Sequence, residues 1–249
     1  MAQIIPLSEG VFTIGHDKLF VPFDPGQDVL TERPTGSLLV EVQPFLVVTE
    51  RDVLILDTGL GFMDKATGRP QIHELLRQHG YEPRQVTKVL LSHLHKDHAG
   101  GVSYTDQSGT RTMFPEADYY VYRDEAAFAL KTGLPSYHPA DLEPMLSSGQ
   151  VRWLDGQEGE IDGYIKFQYS GAHCPHHIVY LIEDGAQRIF FGGDEAPQLK
   201  QMKIRYVAKY DYDGKKASEL REQYAEQGRE EGWEFLFYHD VKTPVARLQ

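Results

Sequence analysis

Short runs of β-branched and aliphatic residues alternate with amphipathic stretches along most of the chain. Val11–Ile14 predicts a short strand. Ser37–Thr49, rich in Val, Leu and Phe, predicts one strand or two, and Val53–Leu56 a buried strand stopped by Asp57-Thr58-Gly59. Gln71–His79 predicts a helix with Ile72, Leu75 and Leu76 on one face and Gly80 as its stop. Val86–Leu91 is the next buried strand, and it runs straight into a polar segment, Ser92 to Gly101. Tyr119–Tyr122 follows as a strand and Asp124–Leu130 as a helix. Residues 16–36, with Pro22, Pro25, Gly26, Pro34 and Gly36, and residues 131–150, with Pro135, Pro139 and Pro144, predict loops. The second half repeats the theme with strands at Val151–Leu154, Ile165–Tyr169, Ile178–Ile182 and Ile189–Phe191, the last ending in Gly192-Gly193-Asp194. Lys215–Gln227 predicts a helix ended by Gly228, with Leu220 and Tyr224 on one face, and Trp233–Tyr238 a final strand ending at His239-Asp240. No linker interrupts the pattern, so residues 1–249 are expected to form one domain of two αβ halves. Several strands end in polar residues, which is where α/β folds place ligands.

Composition narrows the field. The 249 residues are 41% hydrophobic and 25% charged, an ordinary globular balance with ample material for a core. A net charge of −12 repels phosphate backbones, so nucleic acid is not an expected partner. The single cysteine, Cys174, excludes an internal disulfide. Met1 to Pro6 lacks the basic region of a signal peptide, and no apolar run approaches the roughly 18 residues that span a bilayer. The expectation is a soluble, cytoplasmic protein with no membrane partner.

The chemistry concentrates in His93-x-His95-x-Asp97-His98, four metal donors within six residues. Histidine and carboxylate are zinc ligands. Alternate spacing puts His93 and His95 on one side of an extended backbone, while Asp97 and His98 face a second point further on. That arrangement suits two metals better than one, and two adjacent cations suit a shared deprotonated water and a clamp for an oxyanion. His173, Asp194 and His239 each follow or end a strand, where loops at one sheet edge converge.

With Leu56-Asp57-Thr58-Gly59, Ser92 to Gly101, Ala172-His173, Gly193-Asp194 and Tyr238-His239 in this order, the chain resembles the metallo-β-lactamase-fold superfamily. The resemblance implies an α/β, four-layer αβ/βα sandwich with a dinuclear site at one edge. It assigns His93, His95 and His173 to one metal and Asp97, His98 and His239 to the other, with Asp194 bridging. It implies zinc first, and iron, manganese or cobalt as alternatives for such mixed donors. Length, the Pro-rich 16–36 loop and the ligand set are most similar to the lactonase-type branch, which opens lactones including N-acyl homoserine lactones. That activity would make the chain quorum quenching. This branch carries a tyrosine about three residues after the bridging Asp, whereas here Glu195-Ala196-Pro197 follow and Tyr206 is the substitute substrate contact.

The expected reaction is therefore hydrolysis of a lactone or related carboxylic ester by a dinuclear-metal-activated hydroxide, with Asp97 as proton carrier to the leaving group. Alternatives are a phosphodiesterase acting on a small phosphodiester, or a non-catalytic metal-binding module. Around the site, Asp57 is expected to accept a hydrogen bond from a ligand histidine, and His177 to support the site without ligating. Cys174 is expected to be a packed neutral thiol. His16, His73, His79 and His138 are expected at the surface or in loops, Lys96 in solvent, and Trp153 and Trp233 in the core. Phe20, Phe23, Tyr137, Tyr206, Tyr210 and Tyr212 are candidates to line a pocket. The apolar run Leu19-Phe20-Val21-Pro22-Phe23 offers a surface for a homodimer.

Overall fold

A computed structural model describes all residues, Met1–Gln249. Two six-stranded sheets face each other. In spatial order the first holds Gln3–Pro6, Phe45–Val48, Val53–Leu56, Lys88–Leu90, Asp118–Tyr122 and Val151–Leu154. Its last four strands are mutually parallel. The second holds Glu158–Ile161, Ile165–Tyr169, Ile178–Asp184, Gln187–Phe191, Glu234–Leu236 and Val245–Arg247. It is antiparallel except where Gln187–Phe191 runs beside Glu234–Leu236.

The period-two alternation of each strand sorts its side chains into layers. Leu54, Leu56 and Leu90 meet Ile165, Ile189, Phe191 and Leu236 between the sheets. Ile55 and Val89 point the other way, onto the helices α1 (Gln71–Gln78), α3 (Arg123–Thr132) and α4 (Pro139–Leu146) through Ile72, Leu76, Ala126 and Met145. A short helix, α2 (Lys96–Ala99), lies between α1 and α3 in the chain. On the second sheet Phe190 and Phe235 face away from the first and pack on Tyr224 and Ala225 of α5 (Gly214–Glu231). Three apolar interfaces separate four layers, the αβ/βα sandwich expected from the sequence. No helix is long and apolar enough to cross a membrane.

Several sequence expectations change. Residues 16–36 contain a strand, Phe20–Pro22, paired with Gly10–Ile14 and seated by an edge-on contact of Phe20 with Phe12 at 5.9 Å. Residues 131–150 contain α4, because Pro139 sits in its first turn, where a missing N–H costs nothing, and Leu142 and Met145 bury one face. Gly228 lies inside α5, not at its end. The helix runs on to Glu231 and stops at Gly232 in the left-handed conformation. Val245–Arg247, not 233–238, is the final strand. His73 is buried and bonds the Met113 carbonyl at 2.8 Å through Nε2. Trp153 is 39% exposed, its ring covered by the Arg123 guanidinium.

Candidate metal centre and its cavity

The strand Lys88–Leu90 delivers the chain to one edge of the sandwich, and α2 turns it there. Gly101 lets this turn touch the Asp57-Thr58-Gly59 loop, since a Cβ would lie 2.2 Å from the Thr58 carbonyl oxygen. Thr58 donates its N–H and its hydroxyl to the His98 carbonyl, and Tyr238 donates its hydroxyl to the Asp97 carbonyl at 2.6 Å. The stretch 93–98 is thus pinned before any metal is considered.

The seven residues singled out from the sequence come together. His93 Nε2 lies 2.9 Å from His95 Nδ1, which lies 3.2 Å from His173 Nε2, and His173 Nε2 lies 3.1 Å from Asp194 Oδ2. On the other side of Asp194, Oδ1 lies 3.2 Å from His98 Nε2 and 3.0 Å from His239 Nε2, and Asp97 Oδ2 is 3.5 Å from His239 Nε2.

Hydrogen positions follow from the surrounding partners. The Ser92 hydroxyl donates to Asp57 Oδ2 at 2.7 Å, so at 3.0 Å it accepts from His93 Nδ1. His98 Nδ1 donates to Asp57 Oδ2 at 2.6 Å, His173 Nδ1 to Asp211 Oδ1 at 3.0 Å, and His239 Nδ1 to the Glu41 carbonyl at 2.6 Å. In the neutral ring each Nε2 of these four therefore turns a lone pair inward. His93 Nε2 and His173 Nε2 both face His95 Nδ1 about 3 Å away, and Asp194 Oδ1 is buried without a hydrogen bond. Such a convergence of nitrogen and carboxylate donors fits a cation. A tetrahedral site with bonds of about 2.1 Å has ligand edges of about 3.4 Å, close to the observed spacings.

Electrostatics agree. Burial first, and neighbouring imidazoles second, hold His93 and His95 well below the usual histidine range, so both are neutral donors. Burial would push His98, His173 and His239 down, but Asp194 outweighs it and holds all three above the usual histidine range. Their charge in turn holds the Asp194 carboxyl well below its own range against burial, and a bound cation would stand in place of those protons. Burial pushes the Cys174 thiol well up, with Glu125 adding to the shift, so it stays neutral.

Asp57 sits at φ 54°, a left-handed conformation that Asp tolerates better than most side chains, and this aims its carboxylate at Ser92 and His98. His177 accepts the Asp194 N–H at Nε2, 3.2 Å away, and so orients the backbone of Asp194. His176 packs on Phe128, away from the cluster. Lys96 is half-buried, not solvated. Its ammonium donates to the Lys18 carbonyl at 2.5 Å and lies 5.1 Å from the centre of the Phe20 ring.

Four supporting residues escaped the sequence reading. Glu125 of α3 accepts the Leu94 N–H, between two of the histidines, at 3.0 Å. Glu195 accepts the N–H groups of Ala172 and His173. Asp211 receives His173, and Arg221 of α5 reaches Asp211. Only Arg221 carried a sequence signal, as a charge on the apolar stripe of Ala217, Tyr224 and Ala225.

The cluster opens into a cavity of about 450 Å³. Ile14, Phe20, Leu38, Leu39, Val40 and Phe128 make it apolar in part, and Gln198, Gln201, Tyr206 and Tyr210 supply polar groups. Tyr137 and Tyr212 also line it, whereas Phe23 lies in a separate surface cavity beside Arg33.

The metallo-beta-lactamase superfamily profile matches residues 39–228. Over 168 residues the chain is 23% identical to an atrochrysone carboxyl ACP thioesterase of Passalora fulva, covering 67% of this chain and 41% of that protein. Over 173 residues it is 27% identical to an N-acyl homoserine lactonase of Bacillus cereus, covering 61% and 62%. The match spans less than two thirds of the length of either relative. The solved structure of AidC, a dizinc quorum-quenching lactonase, superposes with a TM-score of 0.69 at 20% identity, over 99% of this chain and 90% of that one. At that identity the superposition speaks to the fold. The profile match covers most of the sandwich and every donor but His239, and the chain belongs to the metallo-beta-lactamase superfamily.

Proposed function

We propose that the chain is a metal-dependent hydrolase that opens a lactone or cleaves a related carboxylic ester at a dinuclear centre. The observation that carries this reading is the shared carboxylate. Asp194 directs one oxygen to His173 and the other to His98 and His239, so two donor groups meet on one residue beside the cavity. His93, His95, His173 and Asp194 would hold one ion, and Asp97, His98, His239 and Asp194 the other. Zinc suits both sets. Bound there, two such ions would supply acidified water and a polarised substrate carbonyl.

The chain's own residues do the rest. The apolar wall of Phe20, Leu38 and Val40 takes an acyl chain, while Gln198, Gln201, Tyr206 and Tyr210 face polar atoms of the ester. Tyr206 lines the cavity in the absence of a tyrosine at position 197. Asp97, at the cavity wall with its carboxylate toward His239, carries a proton to the leaving oxygen. A lactonase and an acyl thioesterase among the relatives both cleave acyl bonds by name, which favours a carboxylic centre.

A second reading, hydrolysis of a small phosphodiester, is favoured by Lys18 and Lys96, which line the same cavity. Purified protein of measured metal content should be assayed on a lactone, a nitrophenyl ester, an acyl thioester and a nitrophenyl phosphodiester. Turnover of the acyl substrates, lost with a chelator and restored by zinc or manganese, is expected. Turnover of the phosphodiester alone would select the second reading, and turnover of none at full metal content would overturn both.

A further inference from the structure

Arg221 is a fully buried guanidinium in a helix whose other charges face solvent, with 2% of its side chain exposed. A buried charge has to be paired and hydrogen-bonded. Its partners lie beside the candidate centre, and only Nε is left without one. Nη1 donates to the Glu195 carbonyl at 3.2 Å, and Nη2 donates to the Tyr206 carbonyl at 3.0 Å and to Asp211 Oδ2 at 3.4 Å. The other oxygen of Asp211, whose side chain is wholly buried, accepts from His173 Nδ1. Glu195 in turn accepts the N–H groups of Ala172 and His173, and the N–H groups of Tyr212 and Asp213 donate to the carbonyls of His173 and Ala172. One guanidinium therefore ties the residue after Asp194, the 206–211 loop and His173 into a single buried frame.

We propose that Arg221 is a positioning residue for the metal centre. Through Asp211 it holds the His173 imidazole with its Nδ1 hydrogen outward and its Nε2 lone pair inward, and through the Glu195 carbonyl it fixes the segment that carries Asp194. This rests on the reading of the cluster as a metal centre. Carboxylate partners of this kind fix ring orientation and raise ligand basicity, and their loss typically lowers metal affinity by about 10–100-fold. Arg221 stands one shell further out and acts on the same histidine.

The test is metal affinity, not turnover. Metal-free wild type, Arg221→Met, Asp211→Asn and the double variant are titrated with zinc against a chromophoric chelator. Circular dichroism and thermal melting define the folded fraction. Met keeps most of the apolar volume of Arg, and Asn keeps the shape of Asp. Each single variant is expected to weaken zinc binding per folded molecule by about 10-fold or more. The double variant should lose less than the product of the two single losses, because the two residues share the route through Asp211 to His173. The visible spectrum of the cobalt-loaded protein should shift in each. A folded Arg221→Met protein with wild-type zinc affinity and an unchanged cobalt spectrum overturns the proposal, even if it melts earlier. Should Arg221→Met fail to fold, Asp211→Asn decides alone, and unchanged affinity there overturns it equally. If the wild type binds no zinc, the metal reading itself fails, which the wild-type stoichiometry reveals separately.

Discussion

The two halves of the sandwich build their shares of the candidate centre in opposite ways. The first half places four donors in one turn, His93 to His98, and braces them from nearby in the fold with Asp57, Ser92 and Thr58 at the tips of adjacent parallel strands. The second half contributes His173, Asp194 and His239 from three separate strand ends of a largely antiparallel sheet. No local turn can hold these three, and they depend on buried polar struts: Glu195, His177, and Asp211 backed by Arg221. A compact motif carries its own geometry, whereas dispersed donors need a frame.

The largest effect should come from breaking the compact side at its proposed proton carrier. Asp97→Ala is expected to lower turnover about 10³-fold, within the range for a lost proton carrier or ligand. The melting temperature should stay nearly unchanged, because the Asp97 side chain is partly exposed at the cavity wall. His95→Ala should behave alike. Turnover near wild type in either variant, at matched metal content, would remove that residue from the site.

The same contrast explains what could be read from the chain. Contiguous donors reveal themselves by spacing, and strand ends at His173, Asp194 and His239 become candidates once the motif is in view. Arg221, Asp211 and Glu195 gave no such signal, because an isolated charge in sequence is ordinarily solvated. The clue lay in a stripe: Ala217, Arg221, Tyr224, Ala225 and Gly228 are all buried on one face of α5, and a charge within an apolar stripe demands a buried partner. At 16–36 and 131–150 proline misleads, because it reads as a breaker where the chain forms a strand and a helix. Pro139 instead starts a helix, and Pro22 ends a strand that pairs only on one side.

A second test sharpens the first half's side of the comparison through pH. Glu9 accepts the Leu60 N–H at 2.6 Å, and burial raises its carboxyl from 4.5 to about 7 despite that bond. The folded chain thus holds a proton that the unfolded chain releases. Stability should fall as pH rises from about 4.5 to about 7, by on the order of 3 kcal/mol from this group. Glu9→Gln removes that slope, so urea unfolding at several pH values should show the variant gaining on the wild type through this window. Parallel curves would mean that Glu9 ionises in the fold as freely as in the open chain.

Next comes Asp57→Asn, the first-half counterpart of Asp211→Asn. Asn tolerates the left-handed backbone and its oxygen still accepts the Ser92 N–H. Its amide would then face His98 Nδ1, and a donor there drives the imidazole hydrogen to Nε2, into the centre. Zinc affinity should fall by about 10–100-fold in a chelator competition. A much smaller loss than for Asp211→Asn would show that the compact motif holds its geometry without its carboxylate.

The smallest effect tests whether the frame of the second half is as tightly packed as it is bonded. Gly228 lies two turns beyond Arg221 on the buried face of α5. A Cβ there would sit 2.3 Å from Phe235 Cζ, and Phe235 is fully buried between its neighbours. Alanine gains up to about 1 kcal/mol in helix propensity over glycine. Overpacking a rigid core costs about 1–3 kcal/mol. The steric cost wins, because the ring cannot retreat without disturbing its contacts with Phe190 and Trp233. Gly228→Ala should therefore lower stability by about 1 kcal/mol in urea unfolding. A rise in stability would mean that α5 shifts freely on its sheet, and a helix that shifts freely could not hold Arg221 against Asp211.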